Sequence, residues 1–169
     1  METEKKKKYK ILFVCLGNIC RSPAAEGIMR QRVEEAGLAS SIELDSAGTY
    51  GGHSGELPDA RMRAHSARRG YRLTHRSRPV TADDFWDFDC IVGMDDMNVS
   101  NLRRMAPDVE SERKIVRMTD FCTRIPADHV PDPYYSGSDG FEQVLDILED
   151  AGAGMLQNLL APGGPLSRI

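Results

Sequence analysis

The chain has 169 residues, 40% of them apolar, and a mass of 18.8 kDa, the size of one domain built on one contiguous core. With 22 basic against 26 acidic side chains the formal charge is -4, which lacks the basic excess of a duplex-binding protein and argues against nucleic acid as a partner. Four cysteines, at positions 15, 20, 90 and 122, are too few for a disulfide-stapled secreted scaffold and fit a reducing cytoplasm.

Taken from the amino terminus, Lys5 to Lys8 read as a solvated basic stretch, so residues 1–8 form a flexible arm and 9–169 a single domain. The following run, Ile11 to Leu16, is too short and too soon broken by Gly17, Asn18 and Arg21 to be a signal peptide or a stable membrane insertion. Its continuous apolar, branched and aromatic residues mark a strand buried on both faces. Ala24, Ala25, Ile28, Met29, Val33 and Ala36 then recur at helical spacing, with Pro23 in the first turn and Gly37 at the stop. Ile42 to Asp45 alternates apolar and polar and suits a strand nearer an edge. A helix is predicted from Pro58 to Arg69. The basic residues Arg61, Arg63, Arg68, Arg69, Arg72, Arg76 and Arg78, followed by Asp83, Asp84, Asp87 and Asp89, read as a solvated, internally balanced surface.

Cys90 to Met94 is the second central strand, with Cys90 as a small core residue. Met97 to Met105 suits a helix, and Lys114 to Met118, only partly apolar, a second edge strand. Phe141, Val144, Leu145, Leu148, Met155 and Leu159 make a long helical stripe, which Gly152 and Gly154 weaken by roughly 1 kcal/mol each, predicting a bend there. Alternating strands and helices predict an α/β layered fold, in which ligands bind at the carboxyl ends of strands. Cys122 acquires no role. His53, His65 and His129 default to solvated positions. No histidine-cysteine grouping has metal-ligand spacing, so neither a metal nor another cofactor is predicted.

The stretch that carries chemistry is Val14-Cys15-Leu16-Gly17-Asn18-Ile19-Cys20-Arg21-Ser22-Pro23, which joins the first buried strand to the first helix. Gly17 and Asn18 accept unusual backbone angles, and the helix that follows turns its free N–H groups and positive dipole end back into the loop. That is a cradle for a tetrahedral oxyanion. Backbone N–H groups from Leu16 to Ser22 place Cys15 in a field that favours a thiolate nucleophile. Arg21 can bind two oxygens of a phosphoryl group with its planar fork. Ser22, at the helix start, can cap the first turn and also reach the sulfur, supporting it as a leaving group. The alternative for the loop alone is a buried strand cysteine beside an ordinary helix cap.

This segment resembles the low molecular weight protein tyrosine phosphatases, whose signature reads Cys-x5-Arg-Ser near the amino terminus. Asp45-Ser46-Ala47-Gly48-Thr49, Met94-Asp95 and Asp132-Pro133-Tyr134-Tyr135 stand where that family has corresponding segments, and the likeness runs over nearly the whole chain. The resemblance implies a three-layer fold: a four-stranded parallel sheet flanked by helices, with the phosphate-binding loop after the first strand. It implies a phosphoric monoester hydrolase that acts on phosphotyrosine in phosphorylated proteins through a phosphocysteine intermediate, without cofactor or metal. Phosphate and other oxyanions would bind the loop. Asp132 is implied as general acid and then base, its backbone restricted by Pro131 and Pro133.

The resemblance also implies that Tyr134 and Tyr135 wall a slot for a phenyl phosphate. The aromatic that relatives place opposite is a glycine here, within Thr49-Tyr50-Gly51-Gly52-His53, leaving Tyr50 or His53 to supply the surface, or the pocket open on that side. His75 matches a position that supports the loop through Asn18, and Asp95, ending a buried strand, orients neighbouring loops. Cys20 shares the loop with Cys15, so an oxidant could join them in a reversible disulfide. Two rival functions remain. One is a thiol-dependent arsenate reductase on the same fold, which needs further cysteines as a relay. The other is a non-catalytic anion-binding or redox-sensing module.

Overall fold

The structure, a computed structural model, describes residues 7–167. Residues 1–6 of the predicted basic arm lie outside the described residues, and Lys7 and Lys8 lead, exposed, into the first strand. Strands β1 (Tyr9–Cys15), β2 (Ile42–Gly48), β3 (Cys90–Gly93) and β4 (Ile115–Arg117) form one sheet in the order β2-β1-β3-β4. Every neighbouring pair is parallel. The two continuously apolar runs are central and the two weaker ones are the edges, as their patterning predicts.

Side-chain alternation along β1 divides the core in two. Ile11, Phe13 and Cys15 face a cluster built with helices α1 (Arg21–Glu35) and α6 (Ser138–Leu160). Leu12 and Val14 face the other side of the sheet, where Phe85, Val99 and Leu102 cover them. Those three come from α3 (Asp84–Asp87) and α4 (Asp96–Met105). Helix α2 (Ala60–Arg68) joins the α1 and α6 side through Met62, while α5 (Val109–Arg113) leads into β4. The three layers are therefore helices, sheet and helices. Each fully buried Leu, Ile or Phe in these layers contributes about 1.5–3 kcal/mol.

Several sequence expectations give way to tertiary context. Met118 leaves β4 and opens a short 3-10 turn, Met118–Phe121. Helices α3 and α5, four and five residues long, are too brief to show a period. His65 is buried, its ring stacked on Phe141 at 5.4 Å and its Nδ1 2.6 Å from Glu142. Cys90 packs against the core but stays partly exposed. The arginine stretch is not uniformly solvated, since Arg69 bridges α2 to Glu142, Asp146 and Glu149 on α6.

The glycines do not break the last helix: α6 is one uninterrupted helix of 23 residues. Its glycines are contact points instead. A Cβ on Gly154 would lie 1.8 Å from the carbonyl oxygen of Phe121, and one on Gly152 would lie 3.4 Å from Ile28 and Met29 of α1. At Gly154 the absence of a methyl group lets α6 approach the Phe121 carbonyl, which offsets the propensity cost of about 1 kcal/mol there. Gly154→Ala is expected to lower unfolding stability by about 1–3 kcal/mol in urea titration, through displacement of the Phe121 backbone. Gly152→Ala, meeting only side chains at contact distance, is expected to stay within about 1 kcal/mol of the parent.

Candidate active site

The parallel register brings Cys15, at the end of β1, opposite Gly48 at the end of β2, and Val14 opposite Gly93 at the end of β3. The loop from Leu16 to Cys20 thus rises between the segments that follow β2 and β3. Thr49 N–H donates to the Cys15 carbonyl at 3.0 Å and Tyr50 N–H to that of Leu16 at 2.9 Å, tying the loop to the β2 side.

Asn18 sets the loop's shape. With φ of 57° it is the sole non-glycine residue with positive φ among the described residues, a conformation that asparagine tolerates better than most. Its side chain is fully buried and fully used. Nδ2 donates to Ser22 Oγ at 2.8 Å and Ser46 Oγ at 3.0 Å. Oδ1 accepts from the Arg78 N–H at 3.0 Å and faces His75 Nε2 at 3.1 Å, while the Asn18 carbonyl accepts from Ser77 Oγ at 2.6 Å. Because both amide hydrogens are spent on the serines, Oδ1 is the acceptor and His75 Nε2 carries a hydrogen. His75 stands where the resemblance expects it.

Behind it, His75 Nδ1 lies 3.3 Å from Asp45 Oδ1 and 3.5 Å from Glu26 Oε1. This trio is the sole three-donor grouping of metal-ligand type among the described residues. Its oxygens are already engaged: Glu26 by Arg30 and Ser46, Asp45 by Arg78 and the Ser46 N–H. It reads as an ion-pair cluster that braces Asn18.

Ser22 corrects one expectation and meets another. It lies inside the first turn of α1, whose N-cap is Cys20 with no side-chain capping bond, so Ser22 does not cap the helix. Its Oγ is 3.0 Å from Cys15 Sγ. As the oxygen already accepts from Asn18, its hydrogen is free to point at the sulfur.

Arg21, only 3% exposed, donates from Nη1 to Asp95 Oδ2 at 2.7 Å and to the Val130 carbonyl at 3.0 Å. Its Nη2 is 3.8 Å from Asp132 Oδ2. Burial opposes its charge, but Cys15, Asp95 and Asp132 outweigh that, and its pKa is raised. Asp95 does double duty, since its other oxygen closes a capping box with Asn98 at the start of α4.

These groups line a cavity of about 230 Å³. Cys15 and Arg21 form its floor, Leu16, Gly17, Ile19 and Cys20 the loop side, and Tyr50, His53, Asp132, Tyr134 and Tyr135 its rim. Asn18 and Ser22 lie beneath the floor rather than in the cavity. The glycine opposite the tyrosines leaves no gap, because a Cβ on Gly52 would lie 2.2 Å from the Tyr50 ring, so the absence of a side chain lets that ring occupy the place. His53 joins the rim edge-on to Tyr50 and 6.5 Å from the Tyr134 ring. Tyr135 is 95% exposed and packs against Tyr134.

Residues 10–162 match the family model described as low molecular weight phosphotyrosine protein phosphatase. The chain belongs to that family. It is 43% identical over 150 residues, 88% of this chain and 92% of the relative, to a low molecular weight protein-tyrosine-phosphatase of Streptomyces coelicolor. A crystal structure of a protein tyrosine phosphatase from Entamoeba histolytica with Hepes in the active site superposes with a TM-score of 0.88. It is 47% identical, over 90% of this chain and 97% of that one. A Drosophila arginine phosphatase gives 0.84 at 32% identity, over 90% and 98%.

In this phosphatase the three other thiols are held protonated. Burial, then the charges of Asp59, Cys15 and Asp132, pushes Cys20 far above the usual thiol range. Burial with Asp89 pushes Cys90 up to about 11, and burial with Asp150 does the same for Cys122. All four cysteines are free in this structure. At neutral pH iodoacetate is therefore expected to leave Cys20, Cys90 and Cys122 unmodified, with Cys90 and Cys122 reacting only as pH approaches 11; mass mapping of the peptides checks this. Asn18→Ala is expected to cost about 2–4 kcal/mol in denaturant unfolding and to weaken phosphate binding by calorimetry, since it strands the buried hydroxyls, the Arg78 N–H and His75 without partners.

Proposed function

We propose that this protein hydrolyses phosphotyrosine in phosphorylated proteins through a phosphocysteine intermediate. The observation that carries the reading is a single slot with Cys15 Sγ and Arg21 on its floor, Asp132 3.8 Å from Arg21 at its rim, and aromatic walls. The Cys15 thiolate attacks phosphorus, forming the S–P bond as the P–O bond to the aryl oxygen breaks. Asp132 gives its proton to the departing phenolate. Loop N–H groups and the free edge of Arg21 donate to the three equatorial oxygens, Nη1 staying on Asp95. Asp132, now a carboxylate, takes a proton from water, whose oxygen attacks phosphorus and releases phosphate. The Ser22 hydroxyl, 3.0 Å from Sγ, stabilises the thiolate as it leaves. Side chains and water account for every bond and proton in both steps.

The walls support aryl substrates. Leu16, Ile19, Tyr50 and Tyr134 present apolar and aromatic surface to the side chain that carries the phosphate. Leu16 and Ile19 offer a charged guanidinium group no hydrogen-bonding side chain, which supports phosphotyrosine over phosphoarginine. The arsenate reductase reading lacks a relay, because Cys90 and Cys122 are held protonated and neither lines the cavity. No helix of the described residues is long and apolar enough to cross a membrane, and four free thiols suit the reducing cytoplasm.

Cys15→Ser is expected to abolish turnover of aryl phosphates, and vanadate to compete with substrate in the parent; sustained hydrolysis by that variant would exclude the covalent route. Asp132→Asn is expected to lower kcat/KM by about 10²–10⁴-fold on phenyl phosphate and phosphotyrosine, with a much smaller loss on activated aryl esters.

A further inference from the structure

We infer that Arg61, outside the reaction slot, is a positioning residue for the Asp132 loop, joining it to the phosphate-binding loop through Asp59. This rests on the reading of Asp132 as the general acid. Asp59 is fixed on the phosphate-loop side, where its N–H donates to the Ile19 carbonyl at 2.8 Å. It is also the N-cap of α2, accepting from the N–H groups of Arg61 and Met62. The Arg61 guanidinium grips the same carboxylate with two bonds, Nε to Oδ1 at 3.1 Å and Nη2 to Oδ2 at 3.0 Å. From that anchored position Nη2 also donates to the Tyr134 carbonyl at 2.9 Å.

Tyr134 is the residue that aims the acid. Its N–H donates to Asp132 Oδ1 at 3.1 Å, leaving Oδ2 on the Arg21 side of the cavity. The peptide units on the two sides of Tyr134 thus hold opposite ends of one path, Asp132 at the amino side and Arg61 at the carbonyl side. The guanidinium lies 5.5 Å from the Tyr134 ring centroid and 4.8 Å from that of Phe141, so it also supports the aromatic wall and the first turns of α6. Burial raises the Asp59 carboxyl's pKa, but the bonds from Arg61 and the capping N–H groups outweigh this and lower it overall, which keeps the anchor charged.

Apart from Arg21, this is the route by which the side chains described here tie the two loops together. The Asp132 side chain is 45% exposed, and its own loop supplies only the Tyr134 N–H bond to the carboxylate and the turn closed by Ser136 N–H to the Pro133 carbonyl. The Tyr134 peptide that aims the acid is in turn held from outside the loop, and Arg61 supplies that hold.

The test is kinetic. Arg61→Ala is expected to lower kcat/KM on phenyl phosphate about tenfold while changing kcat/KM on p-nitrophenyl phosphate less than about threefold, because kcat/KM reports the transfer to sulfur, where only the poorer leaving group needs a well-aimed proton. In an Asp132→Asn background the same substitution should cost less than about twofold on either ester, since residues acting as a unit are not additive. Arg61→Lys, which keeps the charge but loses the two-pronged grip and the planar stack, should recover only part of the loss. Equal losses on both esters in Arg61→Ala, or a tenfold loss that persists in the Asp132→Asn background, would overturn the inference. The Asp132→Asn single variant separates the two readings: if it shows no leaving-group dependence, the acid assignment fails first. Circular dichroism melting of each variant, with the fold retained at assay temperature, ties the kinetic differences to aim rather than unfolding.

Discussion

One buried amide determines what this active site can be. A loop that turns its N–H groups inward toward an anion needs at least one backbone in an unfavourable region, and that residue is Asn18, at φ 57°. Such a conformation costs on the order of 1–3 kcal/mol and persists only where its surroundings over-determine it. Here they do, since every hydrogen-bonding atom of the side chain is matched: two serine oxygens, a backbone N–H and an imidazole. The polar network extends to Glu26, Asp45 and Arg78, where each carboxylate faces an arginine. Buried charges are tolerated because none is left alone. The cradle is thus preorganised before any ligand arrives, so little reorganisation remains for binding or reaction.

The sheet decides where this cradle opens. Cys15 and Gly48 are partners across β1 and β2, and Met94 N–H donates to the Val14 carbonyl, so three strand ends meet at one edge. Arg21 follows from the same geometry, because α1 begins with it and its side chain reaches back under the segment after β3, where Asp95 and the Val130 carbonyl receive it. An arginine carrying its charge at 3% exposure is held at Nη1 by the Asp95 carboxylate and the Val130 carbonyl, leaving Nη2 toward the cavity. The functional groups are therefore more heavily hydrogen-bonded on the floor than at the rim. Cys15, Asn18 and Ser22 sit in closed networks, whereas Asp132 and the tyrosines hang on a loop braced from α2.

This gradient also explains what could be read from the sequence. The strands, the first helix and the Cys15 to Arg21 loop are local patterns: a buried apolar run, a glycine-asparagine turn and a helix start with Pro23. They are legible because nothing distant has to be known. The meaning of Gly154 depends on Phe121, 33 positions earlier, so propensity alone suggested a bend where the fold needed a close approach. His65 looked solvated because Phe141 and Glu142, which bury it, lie far along the chain. Arg61, Arg69 and Arg78 are hidden in a run of arginines, and only the folded chain shows that these three grip particular carboxylates. The Ser22 correction is of another kind: a serine at a helix start is usually a cap, and here the sulfur and Asn18 have first claim on it.

Floor and wall answer to different constraints. A floor residue such as Asn18 has five partners, and changing it strands groups that no solvent can reach. The wall behaves otherwise. The lack of a side chain at Gly52 leaves room that the Tyr50 ring fills from two residues away, and His53 extends the same surface toward Tyr134. Tyr50 is 58% exposed, so its ring can be repositioned at little packing cost. Substrate preference can therefore change through rim substitutions that leave the anion cradle untouched, which separates what this fold does to a phosphate from which side chain it accepts the phosphate on.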